Sequence, residues 1–265
     1  MTPLELIVLA IVQGVTEFLP ISSSGHLILI PAINGSVDQG LELDVAVHIG
    51  SLAAVVLYFW RDSWHMARGA VRFLGGHRDE GARLAWLVIL ATLPVILAGL
   101  AYKVVIGDGL RSVAVVAWAT LFFGILLYVA DRIGRTELAV EGMRMRHAWV
   151  IGFAQILALI PGTSRSGVTM TAARFLGFDR TQAARFSMLL SIPTTAAAGT
   201  LMGYEIWNSR DVALQLDAAL AAVFAFISAY IALALMMAWL KRFSMTPFVV
   251  YRLILGVALL VWAYA

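Results

Sequence analysis

Long apolar blocks separated by short charged ones divide the chain, and two of those blocks are interrupted from within. Between Leu6 and Ile30, hydrocarbon side chains give way to Gln13-Gly14-Val15-Thr16-Glu17-Phe18-Leu19-Pro20-Ile21-Ser22-Ser23-Ser24-Gly25-His26. That break sets a carboxylate, three serine hydroxyls and an imidazole in apolar surroundings. A second break, Pro161-Gly162-Thr163-Ser164-Arg165-Ser166-Gly167, follows Gln155. Polar groups in an apolar medium cost free energy unless satisfied, so clusters of this kind mark sites.

Thr2-Pro3-Leu4-Glu5 reads as a helix start, with Thr2 as N-cap, Pro3 in the first turn and Glu5 three residues after the cap. The helix runs to about Leu19, where Pro20 limits it. At ~1.5 Å per residue it is shorter than the ~20 residues a bilayer crossing needs. A second short helix covers about 24–33. Two half-length helices around a polar break predict a re-entrant hairpin over 3–33, and 147–177 has the same form. Full-length apolar segments lie near 41–60, 83–103, 112–131, 180–203, 215–240 and 247–264. The predicted fold is an all-α integral membrane protein with six transmembrane helices plus two re-entrant helical hairpins.

Laying Ser24-Gly25 over Ser166-Gly167 places Gln13 on Gln155, Ser22 on Ser164 and Ser23 on Arg165, with the prolines one position out of step. The chain thus carries one module twice in a single membrane domain, as a first repeat over 1–131 and a second over 147–265. Each repeat is one hairpin followed by three crossings. Three is odd, so the second repeat enters the membrane reversed, an inverted-topology plan. Loop charge agrees. Arg61, Arg68, Arg72, Arg78 and Arg83 occupy one loop, Arg132, Arg135, Arg144 and Arg146 another, and Lys241-Arg242 a third. Asp38, Asp108, Glu205 and Asp211, against Arg210, occupy the alternate ones. The positive-inside rule makes the first set cytoplasmic and puts both termini outside. The hairpins then enter from opposite faces and their tips meet near mid-membrane.

Composition supports the membrane reading: 61% hydrophobic and 13% charged, with mean hydropathy +0.88, against about 25% charged in soluble domains. The absence of cysteine excludes disulfides and thiolate metal ligands. A net charge of +3 is too small a surplus to point to nucleic acid. The N-terminus has no basic n-region or small-residue cleavage site and is not read as a signal peptide.

Gln13 and Glu17 are four apart and share a helix face. An ionised carboxylate this deep needs a cation or several donors, so Glu17 points to a divalent metal, Mg²⁺ or Ca²⁺, with Gln13 as a neutral oxygen ligand. The bland reading is a Glu17 that merely pairs with Arg165. Ser22, Ser23 and Ser24 sit where a half-helix begins, suited to an anion or simply to capping. His26 is a candidate nucleophile, general acid or interior hydrogen-bonded histidine, and Ser23 a candidate nucleophile if His26 or Glu17 takes its proton. Arg165 matches phosphate geometry bidentately. Thr163, Ser164, Ser166 and the N–H groups around Gly167 complete its cradle. His48, Arg174, Arg185 and Arg252 read as packing, snorkelling or supporting groups. Together the tips offer what phosphoryl transfer requires, without a Walker loop or Rossmann fingerprint. A phosphorylated lipid in the bilayer is the substrate class that fits.

Both motifs, Gln13 to His26 and Pro161 to Gly167, closely resemble the two signatures of the bacterial undecaprenyl-diphosphate phosphatase family, the bacitracin-resistance type. The resemblance covers nearly the whole chain. It implies hydrolysis of undecaprenyl diphosphate to the monophosphate in the bacterial inner membrane, recycling the carrier lipid for peptidoglycan and other envelope polymers. It also implies metal dependence, a site opening to the periplasmic side and bacitracin resistance. Residue by residue, Gln13 stands at a position where the family allows Glu or Gln, which leaves one carboxylate fewer for metal. Glu17 matches the second acid, Ser23 the essential serine, His26 the histidine and Arg165 the arginine; Ser24 stands where members often have Thr. The competing class is a transporter or flippase of a phosphorylated lipid, with a structural scaffold a distant third. The attacking group, the metal's identity and number, homodimer formation and lipid movement between leaflets stay open.

Overall fold

The computed structural model describes residues 3–23, 25–26, 41–77, 79–105, 112–208 and 212–265. The proposed Thr2 cap, most of the 24–33 helix and the acidic segments around Asp38 and Asp108 lie outside the described residues, as do Arg78, Arg210 and Asp211. The described residues form ten α-helices: α1 Pro3–Phe18, α2 Leu41–Tyr58, α3 Trp60–Leu74, α4 Glu80–Val105, α5 Val113–Ile133, α6 Met145–Ile156, α7 Arg165–Phe175, α8 Arg180–Asn208, α9 Val212–Leu240 and α10 Thr246–Tyr264. Single 3₁₀ turns occupy Val140–Gly142 and Leu157–Leu159.

Four of these are long and apolar enough to cross a membrane: 80–102, 113–133, 214–240 and 246–264. Exposed Leu97, Phe122, Leu235 and Ile254 on their outer faces are what hydrocarbon solvates. The segment expected to cross at 41–60 does not end in a loop. Its helix is followed after Tyr58 by α3, turned by 91°, and the pair has the length and composition of a broken span or a re-entrant loop. Trp60, Trp64, Val71 and Leu74 are exposed apolar groups interleaved with Arg61, Arg68 and Arg72, the make-up of a helix lying in the interface rather than through it. Less apolar, with Arg180, Gln182 and Arg185 in its first turns, the 29-residue α8 stands apart from those spans. The expected crossings at 83–103, 112–131, 215–240 and 247–264 coincide with the four helices. Short α6 and α7, broken by Leu157 to Ser164, have the form expected over 147–177.

Close helix approach positions α1. A Cβ at Gly14 would meet the backbone of α9 at Ala225 O and Ala229 N, 2.6 and 2.8 Å away, so only glycine lets α1 lie this near. That contact fixes the helix carrying Gln13 and Glu17.

At the arginine-rich end, buried Asp131 accepts from Arg180 Nε (2.6 Å) and from the Met245 N–H (3.0 Å), and lies 3.6 Å from Arg174 Nε. Arg174, itself buried, donates to the carbonyls of Gly134 (2.8 Å) and Arg135 (3.0 Å), closing the end of the second hairpin. Arg185 joins Asp62 and Glu141 nearby, and its hydrogen bond holds the Glu141 carboxyl below the usual carboxylate range. Asp131→Ala is expected to cost about 3–5 kcal/mol, because a buried guanidinium is left uncompensated. The check is the unfolding midpoint in detergent, and an unchanged midpoint would contradict this assignment.

Candidate functional site

Both breaks share one local conformation. Ser22 and Ser164, matched by the overlay of the two motifs, have φ of 77° and 71°. Ser22 Oγ accepts from the Gly25 N–H (3.3 Å), and Ser164 Oγ accepts from the Gly167 N–H (3.1 Å). Left-handed backbone at a non-glycine residue is uncommon and gathers at functional sites. Here it turns each chain sharply and starts the next half-helix with its cap in place.

The two tips touch. Arg165 Nη2 donates to Glu17 Oε1 at 2.6 Å. Ser23 Oγ donates to Glu17 Oε2 at 2.7 Å, and Gln13 Nε2 donates to the same oxygen at 2.9 Å. Ser166 Oγ donates to the Leu19 carbonyl at 3.0 Å, a direct bond between the tips. Glu17 is buried, so its charge is balanced by these donors rather than by water.

Behind the tips, wholly buried Arg252 donates to Pro20 O (3.1 Å) in the first tip and to Gly162 O and Thr163 O (both 3.0 Å) in the second. Its Nε reaches Thr120 O at 3.1 Å. Unwound backbone in a membrane must have its carbonyls satisfied, and one guanidinium with five N–H donors does this for both tips.

The profile of the family described as bacitracin resistance protein BacA matches residues 6–258, nearly the whole chain and both tips. The chain belongs to the BacA family. Relatives named undecaprenyl-diphosphatase include those of Roseobacter denitrificans, 53% identical, and Jannaschia sp., 54% identical, each aligned over 100% of both chains. That of Ruegeria pomeroyi is 51% identical, again over 100% of both.

In this BacA-family chain the structure brings together Gln13, Glu17, Ser23 and Arg165, and sets the other expected residues apart. His26 is not on Glu17 or Ser23. Its Nδ1 bonds the Ser22 carbonyl (2.7 Å) and therefore carries the proton, and its Nε2 faces the Tyr251 hydroxyl at 2.5 Å. The Tyr251 ring stacks on it at 5.8 Å. Ser24 lies outside the described residues. Ser164, Ser166 and the Gly167 N–H are buried and engaged in capping and tip-to-tip bonds, rather than free to cradle an anion. Thr163 Oγ1 is buried without a partner. Glu17 and Arg165 touch, the pairing that the bland reading of Glu17 gave.

Sequence reasoning set His48 aside, and its Nε2 lies 3.7 Å from Glu17 Oε2. The available signal was an imidazole in the middle of an apolar helix. Nothing in the sequence singles out Tyr251.

Among the described residues, no three His, Asp or Glu side chains converge as a metal-holding group. The amide of Gln13 nonetheless fits a hard cation beside Glu17. It is wholly buried, its nitrogen is on Glu17, and its oxygen has no partner.

Proposed function

We propose that the protein is an undecaprenyl-diphosphate phosphatase of the bacterial inner membrane, releasing inorganic phosphate and undecaprenyl phosphate for reuse in envelope synthesis, with bacitracin resistance as a consequence. The observation that carries the reading is the hydrogen bond from Ser23 to Glu17 with Arg165 on the same carboxylate. Nucleophile, base and oxyanion partner stand together, in a family whose relatives bear that enzyme's name.

In this reading an incoming diphosphate draws Arg165 off Glu17, and the guanidinium grips the terminal phosphate. In the second tip Ser164, Ser166 and the Gly167 N–H hold the backbone that presents Arg165, through the cap and the bond to Leu19. Ser23 Oγ attacks the terminal phosphorus as its proton passes to Glu17 Oε2. The bond from phosphorus to the bridging oxygen breaks and undecaprenyl phosphate leaves. Glu17 gives that proton to the departing phosphate oxygen. Water then attacks the phosphoserine with Glu17 again the base, the bond from phosphorus to Ser23 Oγ breaks, and Oγ regains its proton as inorganic phosphate leaves. His26, held by Tyr251, is the alternative candidate general acid for the leaving oxygen. A divalent metal, Mg²⁺ or Ca²⁺, would be held by Glu17 and Gln13 and would supply charge neutralisation on the phosphates.

The same reading takes the fold to be an inverted repeat of six crossings and two re-entrant hairpins, with the site opening to the periplasmic side. The matching φ values of Ser22 and Ser164 support the repeat. Purified protein is expected to release phosphate from a C55 or shorter polyprenyl diphosphate, and EDTA to stop the release until Mg²⁺ or Ca²⁺ is restored. No release, together with lipid movement in proteoliposomes, would instead establish a transporter.

A further inference from the structure

We propose that His48 is a ligand of the divalent cation, completing with Glu17 and Gln13 a mixed nitrogen and oxygen site that favours Mn²⁺ over Ca²⁺. The proposal rests on the phosphatase reading for what the cation does, and on geometry alone for where it binds.

His48 Nδ1 lies 2.6 Å from the Asp44 carbonyl. A carbonyl only accepts, so Nδ1 bears the hydrogen, and Nε2 is the nitrogen turned toward Glu17. That nitrogen lies 3.7 Å from Glu17 Oε2, an oxygen that already accepts from Ser23 and Gln13. With Nε2 unprotonated, two acceptors face each other there, and Arg165 is engaged on the other oxygen. A positive centre belongs between them. Two metal bonds of roughly 2.1 Å span 3.7 Å at an angle of about 120°, so a small cation fits with slight contraction.

Two further observations point the same way. A metal-bound histidine characteristically donates its other N–H to a backbone carbonyl or carboxylate, which is the His48 to Asp44 bond. Independently, wholly buried Gln13 reaches this same Glu17 oxygen through its nitrogen and keeps its own oxygen without a partner. Imidazole nitrogen suits Mn²⁺ or Zn²⁺, whereas Ca²⁺ takes oxygen. His48 thereby supplies the donor that a glutamine at position 13 withholds.

The test is Mn²⁺ added to the purified full-length protein in detergent, read by pulsed electron paramagnetic resonance. Bound Mn²⁺ is expected to show nitrogen coupling from one imidazole. His48→Gln is expected to abolish that coupling and to weaken Mn²⁺ binding by about tenfold or more, with Ca²⁺ binding changed less. His26→Gln, which alters the other nearby imidazole, is expected to leave the coupling in place, so the inference remains testable should His48→Gln not fold. Bound Mn²⁺ without nitrogen coupling, coupling that survives His48→Gln, or the absence of Mn²⁺ binding would each overturn it. Phosphate release alongside any of these leaves the phosphatase reading standing.

Discussion

Glu17→Gln is expected to lower kcat for phosphate release by about 10²–10⁴-fold, the range lost with a positioned general base. The substitution keeps the shape of the side chain and removes its charge. Its amide would still meet Gln13, but it cannot take the proton that Ser23 Oγ now directs at Glu17 Oε2 from 2.7 Å. It also leaves Arg165 facing a neutral group. Ser23→Ala is expected to cost a similar factor, since nucleophile and base act in one step. The double variant is expected to lose little more than either single one, as groups that act as a unit are not additive. Steady-state kinetics on the four proteins read this directly. A double variant whose loss equals the product of the single losses would separate Ser23 from Glu17 and return the nucleophile to His26.

Arg165→Lys is expected to lower kcat/KM by about 10²–10³-fold, the scale of losing one oxyanion donor, although it retains the positive charge. An ammonium is a point charge on a flexible stem, whereas the guanidinium presents paired donors in a plane that matches phosphate. Arg165 stands at the first residue of α7, so its reach is fixed by a helix start whose cap is Ser164. Lysine there would still neutralise Glu17 in the resting site, which keeps the tips together and isolates the effect on catalysis. Activity within tenfold of the parent would show that charge alone suffices and that the fork has no role. A normal unfolding midpoint with lost activity is the expected combination.

The helices and their interruptions were legible in the sequence because both follow from local rules. Apolar runs of sufficient length fixed α4, α5, α9 and α10, and Pro20 and Pro161-Gly162 marked where backbone leaves the helix. The overlay of the motifs set Ser22 on Ser164, but Ser164 was read as part of a phosphate cradle, and only the structure shows both as caps. The right-angle turn into α3 was not legible either, since arginines spaced through Trp60 to Leu74 satisfy a charged loop and an interfacial helix equally well.

What the sequence determined by itself was the class of protein, the two polar breaks and the short roster of residues able to do chemistry in hydrocarbon. Only the tertiary structure decided which of them act on one another. It put Ser23 rather than His26 on Glu17, gave His26 to Tyr251, drew His48 out of an apolar helix to the carboxylate, and set Arg252 beneath both tips. The physical reason is range. Hydrophobicity, helix period and capping act within a few residues and can be read along the chain. The choice of partner among donors 148 or 232 positions apart depends on how closely and at what angle whole helices pack.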